Sequence, residues 1–259
     1  MELKEDQLNE WRARGCLHLQ RFFDPSKLAA WTDELAEWPE TPGRWMKYFE
    51  PAADGGDPRM LCRVENFLEY HEGWRGLLHD PGLLRVLEQL FGEPAVLFKE
   101  KINFKQAGGS GFTAHQDAPA FAAFGQRFHI TAMVSIDASN PGNGCLEMAY
   151  GRHQSGLLEM DEGQSLAQRV IEGERWEPVL TEPGDLVLFG SFLPHRSGAN
   201  RSDAPRRAAY LTYNGVSEGE RRDAYYEDKR RVFPPEIERV PGRDYSNTGM
   251  YNIGNPIQT

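Results

Sequence analysis

The segment Gly108–Ala118 reads GGSGFTAHQDA and sets His115 and Asp117 two residues apart behind a glycine-rich loop. On an extended strand residues i and i+2 leave the same face, so this spacing puts an imidazole and a carboxylate side by side. The pair makes two members of a 2-His-1-carboxylate set, the donor combination that suits Fe(II) and leaves coordination positions open. A third ligand has to come from far along the chain. His195 offers it, in SFLPHRSG just behind the apolar run Asp185–Gly190. A bare H-x-D is common by chance and gains meaning only among strand patterns and beside an anchor for a co-substrate.

Arg206, eleven residues beyond His195, opens the run RRAAYLTYN. A co-substrate with a distal carboxylate needs a fixed, permanently charged, bidentate partner, and a hairpin returning from His195 would carry an arginine back beside the metal. Arg206 is the first choice, Arg207 the alternative, and an ordinary solvated arginine pair the third reading. Ser197 shares the strand face of His195 and could donate its hydroxyl to the same carboxylate. In Lys101–Lys105 (KINFK) the polar face could meet the second carboxylate of a keto acid. Asn103 is the choice there, against a reading in which all three polar residues face water.

These residues need a frame. Lys4–Arg14 reads as a helix with Leu8 and Trp11 on one side, ended by Gly15, and Cys16–Leu19 as a short strand. Asp24-Pro25-Ser26 looks like a helix start, with Asp24 as N-cap, ahead of a helix Lys27–Glu37 with Leu28, Trp31 and Leu35 at core spacing. Pro39–Arg59 is rich in Pro, Gly and Asp and reads as a long loop, part of a lid. Helices are expected over Phe67–Leu77 and Pro81–Phe91, the latter stopped by Gly92.

The period then changes to two. Ala95–Lys105, Arg127–Ile136, Cys145–Ala149, Trp176–Leu180, Asp185–Gly190 and Arg207–Asn214 read as strands, with a turn at Asn140–Gly144 and an inserted helix and loop over Gln164–Trp176. Helices followed by short strands is an α+β pattern, and the strands suit a double-sheet jelly roll. The expected layout is a single domain: a mainly helical part over 1–94, a jelly-roll core over 95–215, and a polar, turn-rich tail over 216–259 that wraps the surface.

The chain has 259 residues, 29 basic against 39 acidic, for a net charge of −10. That balance argues against nucleic-acid or anionic-membrane partners and leaves a small-molecule substrate. A few local arginines can still hold an anion. The charged start MELKEDQLNEWRARG lacks the apolar core of a signal peptide. Cys16, Cys62 and Cys145 are too scattered for a disulfide framework. A cytoplasmic protein is expected; the oligomeric state is left open.

The order of motifs carries a resemblance. K-x-N-x-K at Lys101, G-S-G-F-x-x-H-Q-D at Gly109, N-G-C-L-E at Asn143, G-x-H-x-x-G at Gly151 and P-H-R-S-G at Pro194, with an arginine eleven residues past the histidine, resembles the phytanoyl-CoA dioxygenase family. It covers the chain from Leu8 to about Asn214. It implies a double-stranded β-helix and an Fe(II)- and 2-oxoglutarate-dependent dioxygenase that consumes O2 and releases succinate and CO2. It further implies His115, Asp117 and His195 as iron ligands, with Arg206 and Ser197 at the distal carboxylate of 2-oxoglutarate.

Halogenating relatives carry a small residue where Asp117 stands, so hydroxylation of a C–H bond or another oxidation is the expected outcome. The segment GRHQSG departs from the family's usual proline-glycine-serine-histidine form, and His153 is assigned to a structural turn. Phe112, Gln116, Phe121 and Tyr213, with the Trp45–Phe49 segment, are the substrate-facing candidates. Asp228–Gly242 (DKRRVFPPEIERVPG) is similar to bacterial members acting on small aminophosphonates; terpenoid, polyketide or acyl substrates are the alternative. Two other classes compete. A non-catalytic cupin-like barrel would lose a ligand or the arginine, and this chain keeps all four. A zinc hydrolase would need a general base beside the triad, and zinc prefers more His or Cys.

Overall fold

The computed structural model describes residues 1–51, 59–161, 165–245 and 251. In chain order it gives α1 (Glu5–Arg14), β1 (Cys16–Leu19), α2 (Leu28–Glu37), β2 (Met46–Glu50), β3 (Met60–Glu65), α3 (Glu72–Leu78), α4 (Pro81–Phe91), β4 (Ala95–Lys105), β5 (Phe112–His115) and α5 (Ala118–Phe121). There follow β6 (His129–Ser135), β7 (Leu146–Met148), α6 (Gln168–Gly173), β8 (Glu177–Pro178), β9 (Leu186–Gly190), β10 (His195–Ser197), β11 (Arg206–Gly215) and α7 (Arg222–Val232). A seven-stranded sheet in the order β1-β9-β6-β11-β4-β3-β2 packs with a four-stranded sheet, β5-β10-β7-β8. The strand pairings among the described residues are antiparallel. This is the jelly roll that the period-two runs predict.

Strand parity divides the large sheet into two chemically different faces. Ile102 and Phe104 of β4, Ile130, Ala132 and Val134 of β6, Leu186 and Leu188 of β9, and Ala209, Leu211 and Tyr213 of β11 join Leu28, Leu35, Trp74, Leu83, Val86 and Leu87 of the helices in one core. The intervening residues Met133, Val187, Phe189, Ala208 and Tyr210 face the small sheet, where Leu146 and Met148 meet them. Burying the amphipathic helices on the outer face rigidifies the strands whose inner face carries the polar residues.

Several expectations need correction. Pro39–Arg59 is not a loop throughout: Met46–Glu50 is strand β2, paired to β3 through Met46↔Glu65 and Lys47↔Val64. The alternation of buried Met46 and Tyr48 was hidden by the turn residues around it; 52–58 lie outside the described residues. Asp24 does not cap a helix, because its Oδ1 accepts from the Ser26 amide at 2.9 Å and α2 begins only at Leu28. The third helix starts at Glu72, where the His71 ring accepts from the Trp74 amide at 3.1 Å. Beyond β11 the chain does not simply wrap the surface: α7 buries Tyr225, Tyr226 and Lys229, and Arg222 reaches Glu100 of β4 at 2.7 Å.

Two glycines do work that a Cβ would prevent. Gly15 ends α1 at φ +73, and a Cβ there would lie 2.4 Å from Nδ1 of His153. His153 thus packs beneath the α1–β1 corner, in the turn Arg152–Ser155. Gly144, at φ +72, lets the β7 approach press against Gly198, whose carbonyl would be 2.3 Å from a Cβ.

Candidate active site

β5 and β10 are neighbours in the small sheet, and His115 is the register partner of His195. Their rings stand 4.3 Å apart between centroids. Asp117 follows β5 at the entry to α5 and turns its carboxylate to both rings, 3.8 Å from Nε2 of His115 and 4.0 Å from Nε2 of His195. One donor atom from each residue falls within 4.8 Å of the others. Each imidazole is oriented from behind. Nδ1–H of His115 donates to the Thr113 carbonyl at 2.7 Å, and that of His195 to the Leu193 carbonyl at 3.0 Å. A carbonyl can only accept, so both protons sit on Nδ1 and both Nε2 lone pairs face Asp117.

Burial, then the neighbouring His195, pushes the His115 pKa down to about 3. Burial alone would raise the Asp117 pKa, but the two histidines, Lys99 and Lys101 bring it to about 2. A neutral nitrogen donor and a carboxylate are therefore ready to bind metal at neutral pH.

Gln116, between the two ligands, was expected to face substrate. Its side chain borders the cavity, but the amide is spent on backbone: Nε2 donates to Gly156 and Phe192 at 2.9 and 2.6 Å, and Oε1 accepts from Leu158 at 2.8 Å. It ties the His115–Asp117 segment to the loop that leads into His195.

Two adjoining cavities flank the triad and share Lys99, Lys101, Phe112, His115 and Asp117 as a common wall. The inner one is completed by Asn103, Thr131, Ser197, Tyr210 and Thr212 among others. The outer one reaches Arg63, Glu65, Tyr225, Lys229 and Tyr251. Phe112 thus borders both. Phe121 is buried beneath, with the Lys99 ammonium 4.6 Å from its ring centre. Tyr213 is elsewhere: it lies on the outer face of β11, and its hydroxyl donates to the Leu78 carbonyl at 2.8 Å. Trp45, at the head of β2, packs at a tilt against Trp38 instead of lining either cavity.

Behind Ser197, which lines the inner cavity, Arg206 and Lys105 are register partners on β11 and β4. Both donate to the Gly144 carbonyl, at 2.6 and 3.2 Å, and Lys105 also donates to Ser197 Oγ at 2.8 Å. Nε of Arg206 is buried without a partner among the described residues. Two cations thus sit side by side with no carboxylate bound to either among the described residues. Burial, then Arg206, lowers the Lys105 pKa to about 7. Arg207 faces the opposite side and is engaged by Asp137 at 2.8 Å and by Asp33. That contact removes it as an anchor. Asn103 faces the cavity, its Oδ1 accepting from Arg63 at 3.3 Å.

Lys99, Lys101, Lys105, Arg63, Glu65 and Lys229 were not singled out as site residues. The signal for two of them was present: Lys101 and Lys105 alternate with Asn103 on β4. Lys99 continues that alternation, since the register runs unbroken from Arg206↔Lys105 to Thr212↔Lys99, and the extra residue of β4 comes only beyond it, where Tyr213 pairs with Leu97.

Comparison with known proteins now decides the family. Residues 11–208 match the family model described as phytanoyl-CoA dioxygenase. The chain belongs to the phytanoyl-CoA dioxygenase family. It is 51% identical over 258 residues to a 2-aminoethylphosphonate dioxygenase of an uncultured bacterium, HF130_AEPn_1, covering 98% of each chain. It is 41% identical over 234 residues to the methylphosphonate hydroxylase of Gimesia maris, covering 89% of this chain and 88% of that one. The fold is shared with EctD from S. alaskensis, solved with 2-oxoglutarate and 5-hydroxyectoine: TM-score 0.70, 19% identity, 83% and 77% of the two chains.

The protein is a 2-oxoglutarate-dependent dioxygenase with Fe(II) as its metal and O2 as oxidant. The site fits them: two Nε2 donors and one carboxylate for the metal, and an orphaned guanidinium nitrogen at the inner end for an acid. When bound, iron, 2-oxoglutarate and dioxygen supply a decarboxylation and the oxidising power to break a C–H bond. The protein's part is to orient, to exclude water and to fix charge.

Proposed function

We propose that this family member hydroxylates a small phosphonate, an amine-bearing one such as 2-aminoethylphosphonate first among them. In this reading His115, Asp117 and His195 hold Fe(II). Arg206, Lys105 and Ser197 hold the distal carboxylate of 2-oxoglutarate, and Asn103 contacts its other carboxylate. The carrying observation is the common wall of the two cavities. The ammoniums of Lys99 and Lys101 make no hydrogen bond or ion pair among the described residues, although both border the triad. Burial lowers both pKa values, Lys101 well below the ordinary lysine value. Cations drawn out of water with aromatic rings but no carboxylate hydrogen-bonded to them are costly, and a phosphonate dianion is a ligand that relieves them.

The relative at 51% identity supports the amine. The buried free cysteines suit a reducing cytoplasm, and among the described residues no helix is long and apolar enough to cross a membrane.

The test is Fe(II)-dependent succinate release with a panel of phosphonates, and mass spectrometry of the product. A phosphonate should stimulate succinate formation and gain one oxygen atom, and Asp117→Ala should abolish both. Stimulation by acyl or terpenoid compounds with none by any phosphonate would overturn the reading.

A further inference from the structure

Helix α7 carries into the outer cavity a residue that C–H oxidation does not call for. Lys229 is 1% exposed, with Nζ 2.6 Å from Oε2 of Glu65. Around that ammonium stand the rings of Tyr48, Tyr225, Phe233 and Tyr251, at 5.1, 5.8, 6.0 and 5.7 Å from their centres. A carboxylate with several aromatic faces is the setting in which proteins bind alkylammonium guests. Here the chain fills it with its own side chain. Glu65 is held on its other oxygen by Arg63 at 3.2 Å, so the pair is fixed from both strand and helix. Lys229 and Glu65 border the same cavity as His115 and Asp117. The space between the metal ligands and this seated ammonium is the space a substrate has.

We propose that Lys229, seated on Glu65, is a specificity-determining residue that ends the substrate cavity and sets the longest chain it admits. The inference rests on the phosphonate reading above. With the phosphonate on Lys99 and Lys101, a short chain stops before α7. A longer amine brings its ammonium against that of Lys229, where bulk and like charge both reject it.

Removing the lysine stem opens the end of the cavity and leaves Glu65 to receive a substrate amine. The experiment compares kcat/KM for ethyl-, propyl-, 2-aminoethyl- and 3-aminopropylphosphonate in the parent and in Lys229→Ala, with affinities measured by calorimetry under nitrogen. The 3-aminopropyl to 2-aminoethyl ratio should rise about tenfold, the size of a one-methylene discrimination. Lys229→Ala strips a partner from a buried carboxylate, so Lys229→Ala/Glu65→Gln, which strands no carboxylate, repeats the test if the single variant does not fold. The double variant should keep the gain in length and lose the advantage of 3-aminopropyl over plain propyl. Unchanged length ratios in a folded variant, with the parent active on 2-aminoethylphosphonate, overturn the role of Lys229. A parent inactive on all four compounds overturns the phosphonate reading instead.

Discussion

Two groups of cations flank the active-site cavities in opposite states. At the inner end, behind Ser197, Arg206 and Lys105 hydrogen-bond to carbonyls and a hydroxyl, and Nε of Arg206 has no partner among the described residues. At the outer end Lys229 and Arg63 close on Glu65 at 2.6 and 3.2 Å. Burial would raise the Glu65 pKa, yet Lys229, Arg63 and Lys101 hold it at about 2. The difference teaches what each end is for. Cations left without a carboxylate weaken the empty fold and are satisfied when an acid arrives. Cations already matched hold α7 to the barrel and define a wall. The triad lies between a socket and a brace.

That contrast breaks first at the brace. Glu65→Gln should cost about 3–5 kcal/mol in urea unfolding, the usual loss when one partner of a buried pair is removed, because Lys229 is left buried among four rings. It should leave the requirement for 2-oxoglutarate near the parent's. If the stability loss is under about 1 kcal/mol, the outer pair is not a brace.

The complementary change belongs to the socket. Arg206→Met should raise the 2-oxoglutarate requirement about 100-fold, the scale of truncating one side of a buried charged hydrogen bond. Stability should stay within about 1 kcal/mol of the parent, since the guanidinium has no carboxylate to lose and Lys105 still satisfies Gly144. A parent-like 2-oxoglutarate requirement would remove Arg206 as the anchor. Steep destabilisation with unchanged co-substrate binding would make the inner end a second brace.

Much of this was legible from strand parity, and the failures were failures to apply it. In RRAAYLTYN, Arg206, Ala208, Tyr210 and Thr212 share one face, while Arg207, Ala209, Leu211 and Tyr213 share the other. Choosing Arg206 for the site excludes Tyr213, seven residues on, and the structure buries Tyr213 under α3. The same rule puts Lys105 with Asn103 on the cavity side. It reaches Lys101 and Lys99 as well, since the extra residue in β4 shifts the phase only beyond Lys99, where Tyr213 pairs with Leu97. The triad was legible because H-x-D and P-H-R-S-G are local. Glu65 and Lys229, 164 positions apart, meet only in the fold. Lys229 was read as part of a polar tail because charged residues surround it on the outer side of α7.

The smallest expected effect is a proton. Lys105 has its pKa lowered to about 7 by burial and by Arg206, so in the protein without 2-oxoglutarate it loses its charge as the pH rises through 7. A carboxylate docked on Arg206 and Ser197 stabilises the charged form and raises that pKa toward the ordinary lysine value. The sign follows from linkage. Binding takes up a proton above pH 7 and none below it, so affinity is greatest on the acid side and falls by up to about tenfold per pH unit above 7. Calorimetry of 2-oxoglutarate binding to the iron-loaded protein under nitrogen, between pH 6.5 and 8.5 in buffers of different ionisation enthalpy, reads both the slope and the proton. Lys105→Met should flatten the profile while keeping the Arg206 contribution. A flat profile in the parent, with no proton taken up, would mean that Lys105 stays charged in the empty socket and that Gly144, Ser197 and Gly198 already satisfy it.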